Sequence, residues 1–143
     1  MFIGEYKHAL DDKNRLAVPT KFRSSLKEGI VVTKGLDECL FVYPKAEWIT
    51  WASKVSTLPI SQSKSRAFSR MMLGGAMEAL LDGQGRISIP DYLKEYAHLK
   101  KNVIIAGLYG RLEIWDSELW QQYKAATEKE SNHIAETLAS MGV

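Results

Sequence analysis

The polar and apolar positions of this 143-residue chain fall into short alternating runs broken by glycine and proline, and the runs come in two matching series. Residues 3–10 predict a strand, and residues 16–19 predict a returning strand after the polar turn Asp11-Asp12-Lys13-Asn14. Thr20 stands where it can cap a short helix over residues 20–26 that carries Phe22 and Leu26. Gly29 ends that helix. Residues 30–33 predict a strand, Gly35-Leu36-Asp37 a turn and residues 40–43 another strand. Residues 45–55 place Trp48, Ala52 and Val55 on one helical face. Leu58-Pro59-Ile60-Ser61 interrupts this helix. Ser61 then predicts a connector helix through residue 72, with Arg66 and Arg70 sharing a face, and Gly74-Gly75 closes it. The series restarts with strands over 76–81 and 86–89, a helix over 91–97 and strands over 103–106 and 111–115. A final helix runs from residue 117 to about residue 140, with a frayed end.

The second series repeats the first residue by residue. Leu10, Asp11, Arg15 and Pro19 recur as Leu81, Asp82, Arg86 and Pro90, each 71 residues on, and Gly4 recurs as Gly75. Further along the offset becomes 72. Val31-Val32-Thr33 then aligns with Val103-Ile104-Ile105, Gly35-Leu36 with Gly107-Leu108, Leu40 with Leu112 and Trp48 with Trp120. Two copies are too few for a solenoid, so the pattern predicts a duplicated unit packed about a pseudo-two-fold axis. Each copy opens as strand, tight turn, strand. Asp82-Gly83 signals a two-residue primed turn, which needs positive φ. In the first copy Asp12 and Asn14 stand where Gly83 and Gly85 stand, and both tolerate left-handed geometry.

Composition narrows the class. The length suits one domain, and 45% apolar with 25% charged residues is ordinary for a globular protein able to bury a core without disulfides or metals. The single cysteine, Cys39, forms no internal disulfide and reads as a buried apolar residue in a reducing compartment. No apolar run reaches membrane-spanning length and no signal peptide opens the chain, so a cytoplasmic protein is expected. The net charge of +2 divides unevenly. Residues 1–72 hold 12 Lys/Arg against 7 Asp/Glu (+5), and residues 73–143 hold 7 against 10 (−3). A basic half points to a polyanionic partner such as double-stranded DNA, although a solvated surface explains an excess of this size as well.

Two Asp-x-x-x-Arg motifs, Asp11…Arg15 and Asp82…Arg86, carry the candidate chemistry. Across a turn, Asp and Arg can form an ion pair that fixes register, worth ~0–1 kcal/mol if exposed. Equally, the carboxylate can orient the guanidinium toward a phosphate or a guanine edge. Spacing alone does not separate the two. Lys7, Lys13, Lys21 and Arg23 lie near the first motif in sequence, whereas Glu78, Asp91 and Glu95 lie near the second, which favours Arg15 for contact with an anion. The amides of Asn14 and Gln84 suit adenine edges but are also common turn formers. An acid/base pair of Asp11 and Asp82 is the enzymatic alternative, although duplication already accounts for their recurrence. His8, His98 and His133 lack metal-site spacing, and there is no Cys-x-x-Cys. Gly83-Gln84-Gly85 is not a phosphate-binding loop, and no serine elbow appears. Neither a metal, a cofactor nor catalysis is expected. Trp48, Trp51, Trp115 and Trp120, with Phe41 and Tyr43, are more large aromatics than a small core needs. They predict a homo-oligomer.

These residues bring a family into view. Met1-Phe2…Gly4, the doubled Asp-x-x-x-Arg, Pro19-x-Lys21-Phe22-Arg23, Leu40…Tyr43-Pro44…Trp48, Arg66-Ala67-Phe68…Arg70 and Glu113-x-Trp115 closely resemble the MraZ family over nearly the whole chain. Its members are bacterial transcriptional regulators encoded at the head of the division and cell-wall gene cluster. The resemblance implies an α+β fold. This would be a tandem AbrB-like swapped-hairpin β-barrel with flanking helices, made of two SpoVT/AbrB-like repeats at about residues 5–47 and 76–119 joined by a helical connector. It implies a nucleoid-associated ring, octamer-like, that binds short G-rich direct repeats in its own promoter, and it puts the motif arginines on Arg15 and Arg86. The DNA-binding set is then Lys7, Lys13, Asn14, Arg15, Lys21, Arg23, Gln84 and Arg86, with Asp11 and Asp82 as the motif ion pairs. One residue departs from the family pattern: Asn14 stands where the first motif usually has glycine. The antitoxins that share this hairpin fold supply a third reading, a protein-interaction module.

Overall fold

The computed structural model describes residues 1–143. The first half contains β1 (Phe2–Ala9), β2 (Arg15–Ala17), α1 (Thr20–Leu26), β3 (Ile30–Lys34), β4 (Leu40–Pro44) and α2 (Lys45–Ser56). A connector follows, made of α3 (Ser63–Ser69) and a wider π-helical turn (Arg70–Gly74). The second half repeats the order with β5 (Met77–Ala79), β6 (Arg86–Ser88), α4 (Asp91–Tyr96), β7 (Asn102–Tyr109), β8 (Leu112–Asp116) and α5 (Ser117–Lys129). The chain ends in α6 (Ser131–Leu138) and a short 3₁₀ turn.

The strands form a six-stranded antiparallel sheet in the order β1-β7-β8-β4-β3-β5, with a two-stranded ribbon β2-β6 over one face. That order reads the same from either end once each strand is exchanged for its repeat mate. The fold is therefore a tandem α+β duplication about a pseudo-two-fold axis. The axis can be located from register. In the ribbon Leu16 pairs with Ile87, its own equivalent. In the sheet Phe41 pairs with Glu113, again its own equivalent. The axis runs through both pairs.

One expectation fails here. The turns of the two motifs do not close hairpins between neighbouring strands. β1 pairs with β7 and β2 with β6, so every strand flanking a motif turn pairs with the other half. Alternation explains why. The core-facing residues Leu10 and Leu16 lie on either side of the turn, and each is buried against the shared core of both halves. The chain instead steps from the sheet to the ribbon and buries both.

The repeat register also needs correction. The strand pairings match Ile30-Val31-Val32, not Val31-Val32-Thr33, with Val103-Ile104-Ile105, an offset of 73 in this strand. Side-chain faces agree. Ile30 and Val32 share one core with Val103 and Ile105, whereas Ile104 points to the opposite side. Five residues (98–102) separate Ala97 from Val103 where only three (27–29) separate Leu26 from Ile30, and the following turn is one residue shorter in the second half. The sequence offset of 72 shows only their sum, one inserted residue.

Two apolar layers sandwich the sheet. Nineteen buried residues lie between the sheet, the ribbon and helices α1 and α4; they include Leu16, Ile87, Phe22, Leu26 and Leu93. On the other face Cys39, Phe41, Tyr43, Val55, Met72, Ile104 and Trp115 pack beneath the helices, with Trp48, Trp51 and Trp120 partly covered. Thr33, fully buried, donates to the Met72 carbonyl (2.7 Å) and ties β3 to the connector. On the axis Glu113 accepts from Arg111 (2.7 Å) and from Trp115 Nε1 (3.1 Å), and the Arg111 guanidinium lies 4.3 Å from the centre of the Phe41 ring. Gly107, opposite Gly4, leaves room for β1: a Cβ there would sit 2.5 Å from the Ile3 nitrogen.

Local boundaries differ where capping was inferred from side chains. Pro19 and Gln62 occupy the cap positions instead of Thr20 and Ser61, and neither cap carries a side-chain hydrogen bond. The strand expected over 76–81 shortens to Met77–Ala79, because its partner β3 begins at Ile30, opposite Ala79, and the connector runs to Gly74. The terminal helix breaks at Glu130 into α5 and α6. Neither buries a residue, so no packing overrides the weak helix preference of Ser131 and Asn132.

Candidate nucleic-acid interface

The two motif turns are built alike. Asn14 donates its backbone N–H to the Asp11 carbonyl (3.0 Å), and Gly85 does so to Asp82 (2.9 Å). Positive φ falls on Asn14 (57°) and Gly85 (73°), not on Asp12 or Gly83. The loop is thus three residues long with its left-handed residue last, and not the two-residue primed turn that Asp82-Gly83 suggested. Each aspartate closes its turn from inside. Asp11 Oδ1 accepts from the backbone N–H of Lys13 (2.9 Å) and Arg15 (2.8 Å), and Oδ2 accepts from Arg15 Nε (2.7 Å). Asp82 repeats this with Gln84 (2.9 Å), Arg86 (2.9 Å) and Arg86 Nε (2.7 Å). These hydrogen bonds, that from the arginine backbone foremost, hold both carboxyls below their ordinary range, Asp82 at about 2. Each aspartate thereby holds its own arginine in place through Nε, which leaves the terminal nitrogens of Arg15 without a hydrogen-bond partner in the chain.

Pairing across the axis brings the two turns together. Val18 donates to the Gly85 carbonyl and Ile89 to the Asn14 carbonyl, both at 2.9 Å, so each turn is strapped to the opposite half. Arg86 Nη1 lies 3.9 Å from Asp11 Oδ2, which leaves Asp11 between both motif arginines. The neighbourhoods read from sequence therefore change places. Arg23 of the first half donates to the Val18 carbonyl (2.9 Å) and lies directly over Gly85 in the second turn, where a Cβ would strike its guanidinium. Asp91 and Lys94 of the second half serve the first turn. Lys94 Nζ donates to Asn14 Oδ1 (3.0 Å), and Asn14 Nδ2 reaches Asp91 Oδ1 (3.5 Å). Arg23 and Lys94 are themselves equivalent, 71 residues apart. Glycine lets Arg23 settle on one turn; asparagine offers Lys94 an acceptor on the other.

The residues expected at a nucleic-acid surface divide accordingly. Lys13, Asn14, Arg15, Gln84, Arg86 and Arg23 cluster at the paired turns, with Lys13 and Gln84 exposed on their tips and the Asn14 amide already engaged. Lys21 stands with its ammonium 4.7 Å from the centre of the Tyr6 ring. Lys7 lies elsewhere. Its register partner is Ile104, which packs in the layer on the far side of the sheet, so Lys7 faces away from the ribbon. Beside it Glu5 is held by Lys124 of α5 (3.0 Å). His8 faces the core side, and burial with the nearby Arg23 charge lowers its pKa. Sequence reading missed Lys94, Lys100 and Lys101, which line a cleft with Leu10, Asp11, Asp12 and Asn14. The 71-residue offset that maps Arg23 onto Lys94 was the signal for the first of them. No helix is long and apolar enough to cross a membrane.

Comparison with known proteins agrees with the duplication. A family model described as "MraZ protein, putative antitoxin-like" matches twice, over residues 1–71 and 72–141. The chain is 47% identical to a protein of Natranaerobius thermophilus and 47% identical to one of Halothermothrix orenii, each over 143 residues and the whole of both chains. It is 45% identical to another from Caldanaerobacter subterraneus subsp. tengcongensis over the same span. Each of the three is named "Transcriptional regulator MraZ".

Proposed function

The chain belongs to the MraZ family, and from that premise we propose that it is a transcriptional regulator that binds double-stranded DNA through its two Asp-x-x-x-Arg turns. The observation that carries this reading is the pairing of β2 with β6. It brings Arg15 and Arg86 to one place, each tethered through Nε, with the terminal nitrogens of Arg15 unpaired and Nη1 of Arg86 3.9 Å from Asp11. A guanidinium held in this way is preorganised for the O6 and N7 acceptors of guanine, the commonest specific major-groove contact. Lys13, Gln84, Lys21 and Arg23 supply further contacts around the turns. The target is a set of G-rich direct repeats in the promoter of a division and cell-wall gene cluster, and the protein works in the cytoplasm at the nucleoid, without catalysis. Its repeats, about 5–47 and 76–119, are SpoVT/AbrB-like units. Several chains assemble into an octamer-like ring, a proposal supported by the half-covered Trp48, Trp51 and Trp120. Tethering identical readers raises avidity ~10²–10⁴-fold without new contacts.

Fluorescence anisotropy with duplex DNA from upstream of the protein's own gene, against a scrambled duplex, tests this. Binding to the native sequence should be tighter, should weaken steeply with salt and should strengthen sharply as repeats are added. Equal affinity for both duplexes would remove the sequence-specific reading. Absence of any salt-sensitive binding would leave the protein-interaction module as the better account.

A further inference from the structure

We infer that residues 98–102, between α4 and β7, form a one-sided grip on the DNA phosphate backbone, with Lys100 and Lys101 contacting phosphates beside the bases that the first turn reads. The inference rests on the DNA-binding reading above. This segment is two residues longer than its counterpart 27–29 and carries the adjacent lysines that the counterpart lacks. It is fixed in place: Leu10, at the root of the first turn, donates its N–H to the Lys101 carbonyl (2.8 Å). Lys94, Lys100 and Lys101 consequently share one cleft with Asp11, Asp12 and Asn14.

The cleft is basic once its charges are paired off. Asp11 is neutralised by Arg15 at 2.7 Å, and Lys100 lies 3.6 Å from Asp116. Lys94 spends one hydrogen on a neutral amide and has no carboxylate partner in an ion pair. Lys101 is exposed and forms no ion pair, and only Asp12 opposes it within the cleft. Beside the second turn the shorter segment gives a different surface. Arg23, the equivalent of Lys94, lies over Gly85 there, but the segment itself offers Lys27 followed by Glu28 in place of two adjacent lysines. A lysine ammonium recognises a phosphodiester oxygen as a point charge and needs no base edge.

The consequence is asymmetry. Two readers about a two-fold axis meet the duplex alike. A phosphate grip at one end makes their backbone contacts unequal, the first turn being the more strongly anchored. The second half is net acidic, yet strand exchange delivers its basic loop to the first half's turn.

The full-length protein with both Lys100→Gln and Lys101→Gln tests this, with Lys27→Gln as the control at the counterpart segment. Affinity should fall several-fold by the same factor on native and scrambled duplexes. The slope of log affinity against log salt should shrink by about 1 to 2, and Lys27→Gln should change neither. Thermal melts verify that the variants fold. An unchanged slope in the folded double variant, with Arg15→Ala still abolishing discrimination, would overturn the phosphate grip and leave the DNA-binding reading standing. A loss confined to the native duplex would also overturn it, because phosphates carry no sequence. Failure of the unmodified protein to bind DNA at all would remove both.

Discussion

At the scale of single residues, the arginines of the two motifs differ in their restraints. Arg15 is held by Asp11 alone, while Arg86 is held by Asp82 and lies within reach of Asp11. Arg15 is thus the freer of the two, and its loss should be felt most in discrimination. Arg15→Ala should cost ~1–3 kcal/mol of specific binding and bring native and scrambled duplexes close together in anisotropy titrations. Arg15→Lys should restore charge but not discrimination, since an ammonium has no fork for two acceptors. The aspartates leave a signature in acid. Asp82 titrates at about 2 in the folded chain, below the unfolded range near 4. The stability it contributes is complete above that range and is lost as pH falls toward about 2. Thermal midpoints across this window should drop more steeply for the native protein than for Asp82→Asn. Equal slopes would mean that the Asp82 carboxylate, with the backbone N–H of Arg86 as its first partner, does not hold the turn. Gly85→Ala should destabilise by about 1–2 kcal/mol from its left-handed φ alone, and further because Arg23 must leave.

At the scale of elements, the short ribbon decides most. β2 and β6 have three residues each, yet they align both turns and bury Leu16 and Ile87 on the axis. Leu16→Ala should cost ~2–5 kcal/mol in urea unfolding, because the site is fully buried among rigid neighbours. In protein that remains folded, both turns should lose DNA contact together. A variant with full stability would show that the ribbon is not the keystone of the core. The ribbon also marks how far the sequence could be read. Apolar patterning and the turn residues between the runs located all eight strands and the main helices; in β4 Leu40 and Val42 face one layer while Phe41 and Tyr43 face the other. The Asp-x-x-x-Arg turns were visible because recurrence at 71 residues outweighs composition. Pairing was not legible. Leu10 and Leu16 specify burial but not which strand lies beside them, and a turn of three residues looks the same whether its strands pair or part. The charge environment of each turn depended on pairing, so Arg23 and Asp91 were assigned to the wrong turns. The one-residue misalignment of β3 with β7 has a similar origin. Val31-Val32 and Val103-Ile104 resemble each other too closely for identity to fix the register, and only hydrogen-bonded partners settle it.

At the scale of the molecule, the duplication gives two halves and one core. Of the nineteen residues in the main cluster, ten (Phe2 through Val42) come from the first half and nine (Ile87 through Ile114) from the second. β1 and β2 find strand partners only in the second half, and β5 and β6 only in the first. An isolated first half would retain the β3-β4 hairpin with α2, and a lone hairpin is marginal in water. Residues 1–71 and 72–143 expressed separately should therefore show no cooperative melt as monomers. Mixed in equal amounts they should recover the circular dichroism of the intact chain, with a midpoint that rises with concentration because association supplies the missing strands. The first half has a second option. With Phe41 in place of Glu113 across the axis, two copies of 1–71 can exchange strands with each other, as the symmetry of Leu16 and Phe41 allows. Such a dimer would also melt with concentration dependence and would carry two first-type turns, each with Asn14 but neither with Lys94 to brace it. A concentration-independent cooperative melt of either half alone would show that the strands re-pair within one repeat, and the exchanged topology would then not be required for folding.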